Sequence, residues 1–291
     1  MDVTNSEFDK LDGLTDRSRS FYSALESFSS FNFPPTLENN YQKLHKVILA
    51  NPKPPVLAHL TIEGGSRRDW FKIFKESVLS NTIDGFGASY YHFTNIEFIE
   101  KEFFSLVVKE LPNLQIPPWS TIGGGNTRRI NYEYQALAFS LRRTMEYFAI
   151  GIGAFFKCDV TRIRKLSNAI ENAEPKDLRK QVQKRLEESF LRIEDLLPPR
   201  DGKEKSVRDR LAHWNSVPAG HFNVSRGQDE YMIGLFGGGE NLSSRVTLPI
   251  ITLEGKDNTV FKVSKLSPVL FNQILRVETM IFNIYADLGL I

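Results

Sequence analysis

The sequence predicts a mainly α-helical protein: an antiparallel helical bundle with a small antiparallel β insertion before its last helix, plus an N-terminal helical region. Three observations lead to this fold class. Long segments carry apolar residues at the three-to-four spacing of one helix face. A later segment changes to short β-branched stretches between glycine-rich turns. A last helix-spaced segment then closes the chain.

The chain divides into two predicted regions near residue 120. Residues 1–120 form a mostly helical region of unknown role, and residues 121–291 form the bundle with its β insertion. The Pro- and Gly-rich segment 112–125, with Gly123, Gly124 and Gly125, predicts a flexible linker between them.

Four segments of the first region have apolar residues at helical spacing: 18–29, 37–50, 69–79 and 96–111. Between the last two, we expect residues 81–93 to form a loop, because Gly85 and Gly87 weaken a helix.

The bundle region begins with the most regular helical pattern in the chain, from Ile130 to Phe155. A second helix is predicted over residues 175–197, and a third starts near Ser206. The final helix follows Ser267, a predicted N-cap, and Pro268 at the first helical position. Its apolar stripe is typical of a core face, with a coiled-coil seam as the alternative.

The β insertion is predicted at about residues 218–266. Four stretches have the alternation or β-branched content of strands: 221–226, 230–236, 244–254 and 259–265. Glycine-rich turns separate them, which favours an antiparallel arrangement.

Composition places the protein in a reducing compartment. Cys158 is the single cysteine of 291 residues, so no internal disulfide forms. The acidic, polar N-terminus does not resemble a signal peptide, and no apolar run reaches the roughly 20 residues of a membrane helix. We therefore expect a cytoplasmic protein without membrane contact. No His or Cys pair has metal-ligand spacing and no nucleotide-binding fingerprint occurs, so neither a metal nor a cofactor is expected.

Charge is concentrated in the middle of the chain. Residues 126–215 carry 19 Lys/Arg against 13 Asp/Glu, whereas the whole chain has a net charge of only +2. This excess favours an anionic partner such as RNA. An alternative is that amphipathic helices simply present solvated Lys and Arg.

One short motif, Arg208-Asp209-Arg210-Leu211-Ala212-His213, combines the groups that cleave RNA without a metal. An imidazole near neutral pKa moves protons to and from the ribose oxygens. A guanidinium offsets the charge on the phosphorane. Arg208 and His213 are therefore the candidate catalytic pair, with Asp209 placed to orient the imidazole. The alternative is a helix with surface arginines and a packed His213.

The spacing of the pair favours a dimer. Five residues along a helix turn about 500°, so Arg208 and His213 lie roughly 140° apart around the axis. A two-fold partner would bring two Arg and two His into one cleft.

The motif and the helical order around it resemble the HEPN superfamily, whose signature is Arg, four to six residues, then His. In this sequence Arg208 is the Arg, Asp209 the polar residue that follows it, and His213 the His. The resemblance implies a helical bundle, homodimerisation and metal-independent endoribonuclease activity. Members act as toxins or in defence against phage, which implies an antitoxin or defence-complex partner. It also implies an acidic residue on an early bundle helix, for which Glu146 is the candidate.

Four arginines are candidates for contact with RNA: Arg210, Arg128, Arg129 and Arg142. For Glu146 and Arg142 the alternative is an i,i+4 ion pair. For the whole chain the alternative is a HEPN-like RNA- or protein-binding module without catalysis, because some members have lost activity.

Overall fold

A computed structural model describes residues 33–61, 68–113, 116–124, 128–190, 221–228, 230–236, 249–254 and 259–291. Eight α-helices occur in this part of the chain: α1 Pro35–Leu49, α2 Pro55–Thr61, α3 Trp70–Glu76, α4 Thr82–Glu110, α5 Arg128–Phe155, α6 Ile163–Ala169, α7 Lys176–Phe190 and α8 Ser267–Asp287. The same residues contain five strands: β1 Thr121–Gly124, β2 His221–Arg226, β3 Glu230–Phe236, β4 Ile250–Glu254 and β5 Val260–Ser264. The prediction of a mainly helical protein with a small sheet late in the chain is confirmed.

The longest helices, α4 and α5, pack along each other and form the centre of the fold. Apolar residues of α5 at helical spacing are buried, among them Tyr134, Leu141 and Phe148. The last helix, α8, packs against α4, α5 and α7. The described residues from Pro35 onward belong to one compact unit, and the division of function between 1–120 and 121–291 stays a prediction.

The predicted loop at residues 81–93 is wrong, because a π-helical turn, Ser77–Asn81, joins α3 to α4 and α4 continues to Glu110. Gly85 serves the contact between helices instead of breaking one. A Cβ atom there would collide with the Thr144 side chain on α5. The glycine thus allows a close approach of α4 and α5.

The sheet has the order β1-β2-β3-β5-β4. The prediction of a purely antiparallel sheet is wrong, since β3 and β5 pair in parallel while the other pairs are antiparallel. Strand β5 lies between β3 and β4 because the chain passes to the outer edge before it returns. The alternation of residues identifies a strand but not its neighbour.

The predicted linker contains a strand, so the expectation of a loop at residues 121–124 is also wrong. Residues Thr121–Gly124 pair with β2 and form one edge of the sheet. The pairing is extended by the backbone of Trp119 and Ser120, which bonds with Arg226 at 2.8 and 2.9 Å. An edge position tolerates Gly123 and Gly124 because only one side of the strand needs a partner.

The start of α8 also differs from expectation. Leu266 is the N-cap residue and no side chain of its own caps the helix, so Ser267 as N-cap is wrong. The Glu100 carboxylate on α4 takes that place: it accepts hydrogen bonds from the backbone N–H groups of Leu266 and Ser267 at 2.6 and 3.2 Å. The sheet reaches the same end of α4 through Phe222, which stacks on Phe103 with a centroid distance of 4.0 Å.

Candidate functional site

The four predicted site residues of the motif lie outside the described residues: Arg208, Asp209, Arg210 and His213. Two described elements flank that part of the chain, α7 before it and β2 after it. Their roles therefore stay predictions.

Glu146 and Arg142 form an ion pair on α5, with 2.6 Å between Arg142 Nη2 and Glu146 Oε1. The side chains are 13% and 23% exposed, so the pair is largely shielded and the ion-pair alternative is confirmed. The second Glu146 oxygen accepts a 2.7 Å hydrogen bond from Ile163 N–H at the start of α6. Glu146 thereby fixes α6 to α5, and its role as an acid facing the motif stays a prediction.

Arg128 and Arg129 occupy the first turn of α5 and are exposed. Arg129 forms an ion pair of 3.5 Å with Glu102 on α4. Arg142 lies 14 residues further along α5, roughly 20 Å away at 1.5 Å per residue. The structure does not bring these three predicted RNA contacts together.

A polar cleft of about 270 Å³ lies between α7 and α8. It is lined by Arg185, Glu188, Ser189, Asn272, Leu275, Arg276, Thr279, Met280 and Asn283. Guanidinium, amide and hydroxyl groups predominate in this cleft, which we name the α7–α8 cleft. Such groups contact phosphate and ribose oxygens in nucleic acids.

Arg185 holds the two walls of the α7–α8 cleft in place. Its Nε and Nη2 atoms donate to the Asp287 carboxylate at 2.9 and 3.3 Å. The hydrogen bonds to Asp287 raise the pKa of Arg185 above its ordinary value. This two-bond ion pair joins the C-terminal half of α7 to the end of α8, the two helices that line the cleft.

The α7–α8 cleft lies at the C-terminal end of α7, since Glu188 and Ser189 line it and α7 is described to Phe190. Ser189 comes 19 residues before Arg208 in the sequence, and β2, the other described neighbour of the motif, begins eight residues after His213.

Sequence reasoning missed the α7–α8 cleft. The pattern that indicates it is a polar stripe on α8 at four-three-four spacing: Asn272, Arg276, Thr279 and Asn283. The apolar stripe of the same helix dominated its interpretation as a core element. Amide and hydroxyl side chains repeated at helical spacing beside an apolar face indicate a polar surface that meets another element.

Other buried polar groups serve the packing. Tyr90 on α4 donates a 2.7 Å hydrogen bond to Glu278 on α8. Burial raises the pKa of the Glu278 carboxyl, and burial with the bond to Glu278 raises the pKa of Tyr90. Burial likewise raises the pKa of the Cys158 thiol, which suits a structural cysteine better than a nucleophile.

Within the described ranges, no group of three or more His, Cys, Asp or Glu residues could hold a metal ion. In the same part of the chain, none of the helices combines the length and the apolar character that crossing a membrane requires.

Comparisons of the chain with models of protein families, with curated proteins and with solved structures gave no significant match.

Proposed function

We propose that this protein is a cytoplasmic, metal-independent endoribonuclease of the HEPN type, built on a HEPN-like helical bundle. The observation that carries the proposal is the Arg208-Asp209-…-His213 motif, in the most basic part of the chain. Its residues supply a proton-transfer group and a fixed cation at a spacing that the HEPN signature shares.

The α7–α8 cleft supports a nucleic-acid substrate. Arg185 and Arg276 place two guanidinium groups in a cleft that also offers amide and hydroxyl groups. Phosphate contacts of this kind position a strand without reading its sequence. In this proposal the cleft holds one part of the RNA strand while the motif acts on another part.

The proposed reaction is a transesterification within the RNA. His213 removes the proton from a ribose 2′-OH, and the 2′ oxygen attacks the adjacent phosphorus atom. Arg208 offsets the charge on the phosphorane. The bond between phosphorus and the 5′ oxygen breaks, and the 5′ oxygen takes a proton from His213 of a second copy of the chain. The products are a 2′,3′-cyclic phosphate and a 5′-hydroxyl end.

The other polar residues of the motif assist Arg208 and His213. Asp209 orients the His213 imidazole, and Arg210 contacts the phosphate backbone. A homodimer joins two motifs in one cleft. The HEPN resemblance assigns the activity to a toxin or an anti-phage effector, with an antitoxin or a defence-complex protein as its partner.

The test compares the wild type with Arg208→Ala and His213→Ala, each incubated with labelled RNA in EDTA. We expect only the wild type to leave 2′,3′-cyclic phosphate ends. His45→Ala is the matched control, because His45 is an exposed histidine on α1, and it should cleave like the wild type. Cleavage that survives His213→Ala would overturn the proposal. RNA binding by all variants without cleavage by any would favour the non-catalytic binding module instead.

A further inference from the structure

Four exposed aromatic side chains lie on α4 and α5: Tyr91, Phe98, Tyr132 and Phe139, which are 54%, 53%, 64% and 40% exposed. We name this surface the aromatic face. Large aromatic side chains exposed as a group mark interaction surfaces more often than single exposed ones do.

The register of α4 against α5 places these side chains in two rungs. The two helices are antiparallel, with Gly85 against Thr144 and a 2.7 Å contact between His92 Nδ1 and Glu133 Oε2. Counting from the Gly85–Thr144 pair, Tyr91 lies within one residue of the level of Phe139, and Phe98 lies within one residue of the level of Tyr132. The His92–Glu133 pair lies between the two rungs.

Helix α8 covers the side of α4 that lies opposite to the aromatic face. Tyr90 bonds to Glu278, and Phe93 lies 5.3 Å from Phe271 between ring centroids. Tyr91 and Phe98 are seven residues apart, nearly two full turns, so they share one side of α4. That side is turned away from α8.

The aromatic face has a local two-fold symmetry. Each helix carries Tyr, six residues, then Phe: Tyr91 and Phe98 on α4, Tyr132 and Phe139 on α5. Because the helices are antiparallel, a rotation of 180° about an axis perpendicular to their common plane exchanges Tyr91 with Tyr132 and Phe98 with Phe139. Each rung therefore pairs one Tyr with one Phe.

We propose that a second copy of this chain binds face to face on the aromatic face and forms a two-fold dimer. An isologous interface needs a surface that complements itself. A two-fold axis in the plane of contact can run along the helices or across them. In both cases the local symmetry places each Tyr opposite a Phe of the second copy and makes the facing helices antiparallel.

The aromatic face is large enough to be the apolar centre of such an interface, with the surrounding residues supplying the remaining area. Four aromatic side chains about half exposed present roughly 400 Å², about half of the roughly 800 Å² that each partner of a stable complex buries. Polar groups border the face: the Glu102–Arg129 ion pair at one end, and Arg143, stacked 5.1 Å above the Tyr147 ring, at the other. An apolar centre with a polar rim is typical of protein interfaces.

The dimer inference does not depend on the ribonuclease proposal. The oligomeric state is measured without RNA, and the His213→Ala variant should have the same mass as the wild type. A dimer that does not cleave RNA would contradict only the ribonuclease proposal, and a dimer that cleaves RNA but does not use the aromatic face would contradict only the present inference. RNA cleavage by a monomer would contradict this dimer and also the role of a second copy in the proposed reaction.

Sedimentation equilibrium of the full chain between about 1 and 100 µM tests the interface. We expect the wild type to have twice its 33.3 kDa chain mass. Phe98→Glu and Tyr132→Glu, made separately, should each raise the dissociation constant by at least about 30-fold, as expected for central aromatic residues. Circular dichroism checks that each variant keeps its helices.

Leu49→Glu is the matched control, since Leu49 is an apolar residue of α1 with 43% exposure, outside the aromatic face. Its dissociation constant should equal that of the wild type. A wild type that is monomeric at 100 µM would overturn the dimer and leave the face to a different partner. A dimer that neither glutamate variant weakens would overturn the assignment of this surface.

Discussion

The Glu100 carboxylate on α4 accepts a 2.6 Å hydrogen bond from the backbone N–H of Leu266, at the N-terminus of α8. The first N–H groups of a helix have no partner within the helix. A carboxylate from another helix satisfies two of them here and also compensates the positive end of the helix dipole. Glu146 accepts one such N–H group, that of Ile163, at the start of α6. Long-range caps of this kind tie α6 and α8 to the α4–α5 pair.

Removing the Glu100 cap should destabilise the protein. Glu100 is 1% exposed, so Glu100→Ala leaves buried N–H groups without an acceptor and should lower the free energy of unfolding by about 1–3 kcal/mol. Urea denaturation measures the change. Glu102→Ala, at a half-exposed position on the same helix, should change it by less than about 1 kcal/mol. Equal effects of the two variants would contradict the capping role.

Glu100 should also make stability depend on pH. Burial raises the pKa of its carboxyl above the ordinary 4.5, so the folded state holds a proton that the unfolded state has already lost. The contribution of Glu100 is therefore fully present below pH 4.5 and is lost as pH rises through the raised folded pKa. The test compares the unfolding free energies of the wild type and Glu100→Gln from pH 4 upward. Glu278 contributes equally to both proteins, so the difference between the two curves isolates Glu100. This difference should show a fall in the stability of the wild type as pH rises. Parallel curves would contradict the prediction.

The Tyr90–Glu278 bond gives a second stability test. Tyr90→Phe leaves a buried carboxyl without its donor and should cost about 1–3 kcal/mol of unfolding free energy. Tyr91→Phe is the neighbouring control and should change the stability little, because Tyr91 is 54% exposed. If the two variants melt at the same temperature, the buried hydrogen bond contributes nothing measurable.

Gly85 tests the close approach of α4 and α5. Alanine at a helical position usually stabilises by about 1 kcal/mol relative to glycine, but the added methyl group here meets the Thr144 side chain. Gly85→Ala should therefore destabilise by about 1–3 kcal/mol. Thr144→Ala removes the hydroxyl, so the double variant should be more stable than the sum of the single effects. Strict additivity in urea denaturation would show that residues 85 and 144 do not press on each other.

Arg276 tests the α7–α8 cleft as an RNA contact. Arg276→Ala should weaken RNA binding by about tenfold and lower the slope of log affinity against log salt by about 0.7, the value for one phosphate contact to a single strand. Fluorescence anisotropy with labelled RNA at several salt concentrations measures both quantities. Arg143→Ala, on the exposed side of α5, should leave them unchanged. Equal losses in both variants would indicate diffuse electrostatic attraction in place of a contact in the cleft.

The helices were predictable because the apolar residues that become buried recur at a regular spacing in the sequence. Residues from Ile130 to Phe155 repeat at helical spacing, and α5 covers that range. The prediction for residues 81–93 was wrong because a glycine in the sequence is compatible with a loop and equally with a close contact between helices. Only the position of Thr144 on the facing helix distinguishes the two.

The candidate site was predictable only in part. The ion pair of Arg142 and Glu146 follows from i,i+4 spacing, which is local. The α7–α8 cleft requires residues from two helices about a hundred positions apart, such as Arg185 and Asp287. No local pattern contains such a pair.

The sequence alone determined most of the helical segments, four of the five described strands, and which residues could carry chemistry, because these properties depend on neighbours within a few positions. The tertiary structure decided that β5 lies parallel to β3, that Glu100 caps α8, and that Tyr91 and Phe98 share a face with Tyr132 and Phe139. Each of these depends on which distant surfaces meet, and that is settled by the packing of whole elements.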